Sequence, residues 1–514
     1  MRRLEGPADR FDRRLVVGIL GALLFAALVV ARLVQVQVLE FVPLRKVAAT
    51  QQERRLVLPA ARGAVTDRSG KPLAITLPAD RRRTHPGERL HPYGGLAAQV
   101  VGYVSRDGRG QEGIELAHDR DLQGVDGFRV VGANARGRLR SVPGGRMEAP
   151  RDGGKVVLTI DATAQSVLER ELARTVEQTD AQGATGVLLD PLTGDVLAMA
   201  SCPSFDPLRP GDSPAAHRKL RAVTDMHEPG STFKAFTVAA CLEAGLVEPE
   251  TLVESSLTME LAGGHALHDK RDYGWVTVEE TLVHSVNTAT AQLGRKLGSQ
   301  GLYEYARAFG FGCVTGIDVP GEVSGILRRP ANWSGRSLET VAIGQELAVT
   351  PLQLACAYGA IANRGVLMKP RIVREIREPG GRTLREFRPR RVRRVVSTET
   401  ARTLAAMLSR VVEEGTGETA RIPGISVCGK TGTAQWFDPR AGRYDARSHV
   451  SAFAGFVPAD EPRLVGVVMV ERPAGVGWGR EVAAPCFRRV VEGILLSGHQ
   501  PAELVFASLG EEAD

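Results

Sequence analysis

At 514 residues the chain exceeds one ordinary domain, so two folded parts are expected, and 43% hydrophobic residues supply a large core. The net charge of +7 comes from arginine scattered through the N-terminal third without a nucleic-acid-binding motif. That excludes a nucleic-acid partner in favour of an anionic membrane surface or cell-wall polymer. The six cysteines stand singly, with no Cys-x-x-Cys, which argues against zinc and thioredoxin-like chemistry. Most sit in apolar runs as buried thiols, and their pairing stays open.

Residues 1–14 are polar and carry Arg2, Arg3, Arg10, Arg13 and Arg14. Leu15 to Ala31 then runs without a charge. At about 1.5 Å per residue it spans roughly 26 Å, just short of a hydrocarbon core. Arg32 can snorkel and the apolar pattern resumes through Leu39, so residues 15–39 read as one membrane anchor. The arginines before it predict a cytoplasmic tail over 1–14 and an exported remainder. A cleaved signal peptide is the competing reading, with Val29-Val30-Ala31 as its cleavage site, but the apolar stretch is long for one.

Residues 51–76 read as extended structure, with a turn at Asp67-Arg68-Ser69-Gly70. Residues 77–92 form a Pro-, Arg- and His-rich loop, and 135–155 read as exposed hairpin turns. Together 40–155 make a small module of strands and short helices. Val156 to Asp161 ends a strand and caps a helix running through Glu177. Residues 185–190 and 195–201 predict a hairpin whose strands lie centrally in a sheet. A helix from Ser231 to Leu242 follows, then further helical segments through Phe309. Leu352–Asn363 and Thr398–Glu414 predict helices, Ile425 onward a strand, His449–Val457 and Arg463–Val470 a second hairpin, and Val482–Leu496 a closing helix. Strands at both ends with helices between predict an antiparallel sheet flanked by helices, an α/β or α+β domain over 156–505, with a C-terminal tail over 506–514.

The chemistry gathers in three places. In Glu228-Pro229-Gly230-Ser231-Thr232-Phe233-Lys234, Ser231 opens a helix and Lys234 shares its face. A serine needs a neighbouring base to be nucleophilic at neutral pH, and a lysine kept neutral by burial or by another cation supplies one. The second place is His284-Ser285-Val286-Asn287. The third is Cys428-Gly429-Lys430-Thr431-Gly432-Thr433. Each alone is weak, but Ser-x-x-Lys, Ser-x-Asn and Lys-Thr-Gly in that order form a known signature of penicillin-binding proteins and class A β-lactamases.

From the anchor to the last helix the chain resembles the class B penicillin-binding proteins, most closely their cell-division branch. Arg62 to Ala74 and Gly110 to Gly127 resemble segments of that family's N-terminal pedestal. Gly344-Gln345-Glu346, Thr350-Pro351-Leu352-Gln353 and Ala452-Phe453-Ala454-Gly455-Phe456 resemble further family blocks. Glu228 before Pro-Gly-Ser is similar to the division and sporulation branch. Two departures stand out: only a short loop separates Ala74 from Tyr93, where relatives carry an extra lobe, and no accessory repeat domain is expected after the catalytic one.

The resemblance implies a transpeptidase fold with a five-stranded antiparallel sheet, behind a shortened pedestal and one transmembrane helix. It implies a serine-type D-Ala-D-Ala transpeptidase that cross-links peptidoglycan stem peptides through a Ser231 acyl-enzyme during septal synthesis and is a target of β-lactams. Catalytic roles fall on Ser231, Lys234, Ser285 and Lys430, with Lys430 a candidate for the cation that keeps Lys234 neutral. Asn287, Thr431, Gly432 and Thr433 would bind substrate, and the backbone N–H groups of Ser231 and Thr433 would face the oxyanion. No cofactor or metal is expected. Implied partners are stem peptides ending in D-Ala-D-Ala, penicillins, a multi-spanning glycan polymerase and division proteins, at the outer face of the cell membrane. The alternatives are an elongation-type transpeptidase, a β-lactamase or penicillin sensor, and a non-catalytic cell-wall scaffold. None of Glu304, Glu322 or Glu339 is followed four residues on by Asn, which argues against class A β-lactamase deacylation.

Overall fold

The structure, a computed structural model, describes residues 7–77, 87–133, 138–142, 145–438, 443–475 and 477–497. The start of the tail (1–6), most of the loop at 77–92, parts of the turns at 135–155 and the tail at 506–514 lie outside them. The chain divides into two units. One holds residues 1–60, 81–85 and 125–151, and the other 61–80, 86–124 and 152–514.

In the first unit, helix Pro7–Val34 runs into a short π-helix, Gln35–Leu39. Phe11–Leu39 is long and apolar enough to cross a membrane, and its side chains are not buried in protein. It fits a single-pass membrane anchor. Helix Phe41–Gln52 leads to strand Glu53–Leu58, which pairs antiparallel with Gly127–Ala133. Arg55 lies over the Phe128 ring at 3.4 Å from its centroid.

The second unit is built on the expected five-stranded antiparallel sheet. Its order is Val196–Cys202, Gly183–Leu189, Leu464–Glu471, Arg443–Val457, Cys428–Asp438. Leu464–Glu471 is buried along its whole length. Its alternation explains why: Val465, Val467 and Met469 join the core of helices Lys234–Glu243, Pro351–Ala362 and Thr398–Glu413. Leu464, Val468 and Val470 join the core of helices Ala162–Thr179 and Ala483–Leu496. With helices on both faces, a central strand reads as an unbroken apolar run.

Three expectations are corrected in this unit. First, Val196–Cys202 is an edge strand, not a central one. It is nonetheless buried from Val196 to Ser201, and two glutamines satisfy its open edge. Met199 N donates to Gln165 Oε1 at 2.8 Å and Gln165 Nε2 returns a bond to Met199 O at 2.9 Å. Gln99 Nε2 donates to Ser201 O at 2.9 Å and Ser201 N to Gln99 Oε1 at 3.3 Å. A side-chain amide thus replaces the missing strand partner.

Second, the stretch before Phe309 is not wholly helical. It contains the strand pairs Leu252–Glu254 with Trp275–Thr277 and Thr258–Leu261 with His265–His268. Third, the segment that opens at Arg62 is stitched to the larger unit, since Val65 and Thr66 pair in parallel with Val156 and Val157. Where the turn was expected, Asp67 Oδ1 accepts bonds from Ser69 N and Lys71 N, both at 2.8 Å, and Gly70 takes φ +92°. Asp161 caps helix Ala162–Thr179 as expected, accepting from Thr163 N and Ala164 N.

Candidate active site

Ser231 lies on a 3-10 turn, Gly230–Thr232, that leads into helix Lys234–Glu243. The turn is gripped from both sides. Gly230 takes φ +51° and donates to Gly344 O at 2.9 Å. A Cβ on Gly344 would meet Gly230 O at 2.0 Å. On the other side a Cβ on Gly432 would meet Thr232 Cγ2 at 2.8 Å and Pro229 O at 2.9 Å. Only glycine lets these backbones close on the serine. Below the turn Phe233, Phe236, Phe309, Phe311 and Tyr358 pack as one aromatic cluster, with Phe236 4.8 Å from Phe309 between centroids. The Tyr358 hydroxyl donates to Thr232 O at 2.9 Å, so the nucleophile's platform is both packed and hydrogen-bonded.

The second element follows helix Val278–Val283, whose start is a Thr277–Glu280 capping box. Ser285 then takes φ +59°, a conformation a serine adopts at a cost of about 1–3 kcal/mol, and helix Asn287–Ala308 begins. The Asp269 carboxylate holds that helix start. It accepts from Asn287 N at 2.6 Å, Thr288 N at 2.8 Å and Thr288 Oγ1 at 2.7 Å.

Lys234 joins the first element to the second. Its Nζ donates to Ser285 O at 2.6 Å and to Asn287 Oδ1 at 2.6 Å, with Ser285 Oγ at 3.4 Å. The side chain is fully buried, and burial lowers its pKa to about 7, against the opposing pull of the Asp269 charge. Asn287 Nδ2 donates to His268 O at 2.8 Å, so both ends of this amide are engaged by protein groups.

Lys430 lies on strand Cys428–Asp438, opposite Ala454. It too is fully buried, and its Nζ donates to Thr416 Oγ1 and Thr431 O, both at 3.3 Å. Burial first, then the charges of Lys234 and Lys270, hold its pKa well below the ordinary lysine value. The sequence made Lys430 the cation that depresses Lys234. In the structure burial is the first cause for both lysines, and the Lys234 charge adds to the lowering at Lys430, a repulsion that acts on both ammoniums. Among the described residues neither ammonium has a carboxylate within ion-pair distance. Beyond Lys430, Thr433 Oγ1 accepts from Gly479 N at 3.0 Å.

These elements enclose a cleft of about 320 Å³. Ser231, Ser285, Asn287, Thr431, Gly432 and Thr433 line it, and the two lysines reach its lining from the protein interior. Every site residue expected from sequence is therefore at this cleft. Asp269, Lys270, Thr416 and Trp478 also line it and were not anticipated. For Asp269 and Lys270 the one signal was the charged run Asp269-Lys270-Arg271-Asp272 in a stretch read as helical, and Thr416 and Trp478 had none. Lys270 Nζ sits 4.5 Å from the Trp478 ring centroid. His284 stacks on Tyr273 with ring centroids 5.6 Å apart.

Comparison with known proteins agrees with this geometry. Residues 184–492 match the penicillin binding protein transpeptidase domain. The probable peptidoglycan D,D-transpeptidase PenA of Neisseria gonorrhoeae is 35% identical over 412 residues, covering 79% of this chain and 68% of the relative. Stage V sporulation protein D of Bacillus subtilis is 34% identical over 418 residues, covering 79% and 64%. The crystal structure of penicillin binding protein 3 from Mycobacterium tuberculosis superposes with a TM-score of 0.76 at 35% identity, over 86% of this chain and 97% of that one. A serine at the mouth of a helix, two buried lysines and a Lys-Thr-Gly strand in this sheet define a penicillin-binding transpeptidase domain. The chain belongs to the class B penicillin-binding proteins.

Proposed function

We propose that the protein is a serine-type D-Ala-D-Ala transpeptidase that cross-links peptidoglycan stem peptides and is acylated by β-lactams at Ser231. One observation carries the reading: a fully buried lysine, Lys234, pinned to Ser285 and Asn287 three residues beyond Ser231. With a pKa of about 7, half of it is neutral at physiological pH and able to take a proton. Ser231 Oγ attacks the carbonyl carbon of the D-Ala-D-Ala bond while its proton passes to Lys234 Nζ. The negative oxygen of the tetrahedral intermediate sits between the N–H groups of Ser231 and Thr433. Collapse breaks the C–N bond, and Ser285 relays the proton to the departing amine of D-alanine. An amine of a second stem then attacks the Ser231 ester, loses its proton through the same groups, and returns Ser231 Oγ to its hydroxyl form. The hydroxyls of Thr431 and Thr433, with Lys430 behind them, suit the substrate's terminal carboxylate, which would draw Lys430 back to its charged form.

A role in septal synthesis is supported by Glu228 before Pro-Gly-Ser and by the likeness to a sporulation protein. The tail at 1–14 would be cytoplasmic and the catalytic unit outside, beside a multi-spanning glycan polymerase and division proteins. Fluorescent penicillin tests the chemistry. The full-length protein becomes covalently labelled, mass spectrometry places the adduct on Ser231, and Ser231→Ala abolishes it. Labelling that persists in Ser231→Ala moves the nucleophile elsewhere, and rapid loss of the label would favour a hydrolase. Depletion that leaves division intact but blocks elongation would move the protein to the other branch.

A further inference from the structure

A second cavity, of about 820 Å³, lies next to the cleft. Three chain segments line both, one to three residues apart: Glu228 beside Gly230 and Ser231, Glu346 beside Gln345, and Gln435 beside Thr433. The second cavity is therefore within reach of a substrate residue next to the scissile D-alanine pair, since one extended residue spans about 3.5 Å.

Its walls carry both charges in balance. The acids are Asp225, Glu228 and Glu346, and the bases Lys219, Arg328 and Arg336. Glu346 takes φ +60° and is internally satisfied, by Ser337 Oγ at 2.6 Å, Thr340 Oγ1 at 3.0 Å and Arg336 at 3.3 Å. Glu228 is different. Its Oε1 accepts from Glu346 N at 2.9 Å and from the Tyr444 hydroxyl at 2.6 Å, while Oε2 accepts no hydrogen bond from the described residues. No cation stands within 4 Å of it among those residues. Burial, with the nearby Glu346 charge, raises its pKa above the ordinary carboxylate value, so a cation arriving there would be welcome. Arg328, at the exposed rim, likewise has no carboxylate partner among the described residues. Trp436 supplies an apolar part of the same wall.

We propose that this cavity receives the side chain of the acyl donor's third stem residue, and that its charges select a side chain ending in an ammonium and a carboxylate together over one ending in an ammonium alone. Glu228 takes the ammonium and Arg328 the carboxylate. The donor is the strand concerned, because the acceptor's amine must reach the Ser231 ester and not a side cavity. This inference rests on the transpeptidase reading and adds its substrate class.

The test uses full-length protein in detergent and three penicillins whose added side chain ends in ammonium plus carboxylate, ammonium alone, or an acetylated amine. Acylation rates are read by competition with fluorescent penicillin. The doubly charged probe is expected to acylate wild type about tenfold faster than the ammonium probe, the worth of one charge-assisted bond. Glu228→Gln is expected to bring the ammonium probe down to the level of the acetylated one. Arg328→Gln, at the rim, is expected to erase the advantage of the added carboxylate. Wild type that takes fluorescent penicillin but treats the three probes alike overturns this inference alone. A selectivity that survives both variants overturns the placement. Wild type that fluorescent penicillin does not acylate overturns the transpeptidase reading itself.

Discussion

Lys234 decides the pH behaviour of the site. Burial, opposed by the Asp269 charge, brings its pKa from 10.5 to about 7, so the neutral form that can accept the Ser231 proton grows as pH rises through that value. Acylation by penicillin should therefore climb between about pH 6 and 8 and level off above, read from stopped-flow rates across pH. A flat profile would remove Lys234 from the base role. The same shift carries a stability term of definite sign. Between about pH 7 and 10.5 the unfolded chain binds a proton at this lysine that the folded chain does not. Stability from this group therefore rises with pH across that window, and Lys234→Met should flatten the slope in denaturant titrations. Lys234→Arg keeps the positive charge but cannot lose its proton, so acylation should fall by at least about 100-fold. The lysine's identity is visible in Ser-x-x-Lys. Its burial is not, because the groups that cover it come from residues 269–287 and from the Lys430 strand.

At the scale of elements, the pieces that position the site were only partly legible. The Lys430 strand, the capped helix at Asp161 and the Leu352 helix follow from apolar runs, caps and glycines, which act locally. The small strands at residues 252–277 were missed because each is only three or four residues long and borrows its stability from packing against helix Asn287–Ala308. They nevertheless deliver Asp269 to the start of that helix, where three hydrogen bonds converge on one carboxylate. Asp269→Ala should cost about 1–2 kcal/mol, the usual worth of a helix cap, seen as a lower melting temperature. It should also slow penicillin acylation, because Asn287 loses its anchor beside Lys234. Unchanged acylation at normal stability would show that Asp269 supports the helix and not the site. Gly432→Ala tests the grip on the nucleophile's turn. With the new methyl 2.8 Å from Thr232 Cγ2 and 2.9 Å from Pro229 O, the strand must shift, and acylation should drop with little loss of secondary structure by circular dichroism.

For the whole molecule, the stretch from Leu15 to Ala31 is apolar all round and finds no cover in protein, which a lipid bilayer would provide. Replacing residues 7–39 should move the protein from the membrane pellet to the supernatant, with penicillin labelling retained. Protease added to spheroplasts should remove the catalytic unit and leave the anchor, and a catalytic unit that resists would reverse the proposed orientation. The order of Ser-x-x-Lys, Ser-x-Asn and Lys-Thr-Gly, the apolar anchor and the sheet-forming runs were determined by the sequence itself, because each is written in neighbouring residues. Tertiary structure alone decided that two lysines distant in the chain share one buried environment. It decided that glutamines close an edge strand, that Asp269 anchors Asn287, and that a cavity of mixed charge opens beside Ser231. Burial and dielectric environment belong to the packed chain: a side chain's proton affinity depends on which distant segments exclude water from it, and no local pattern records that.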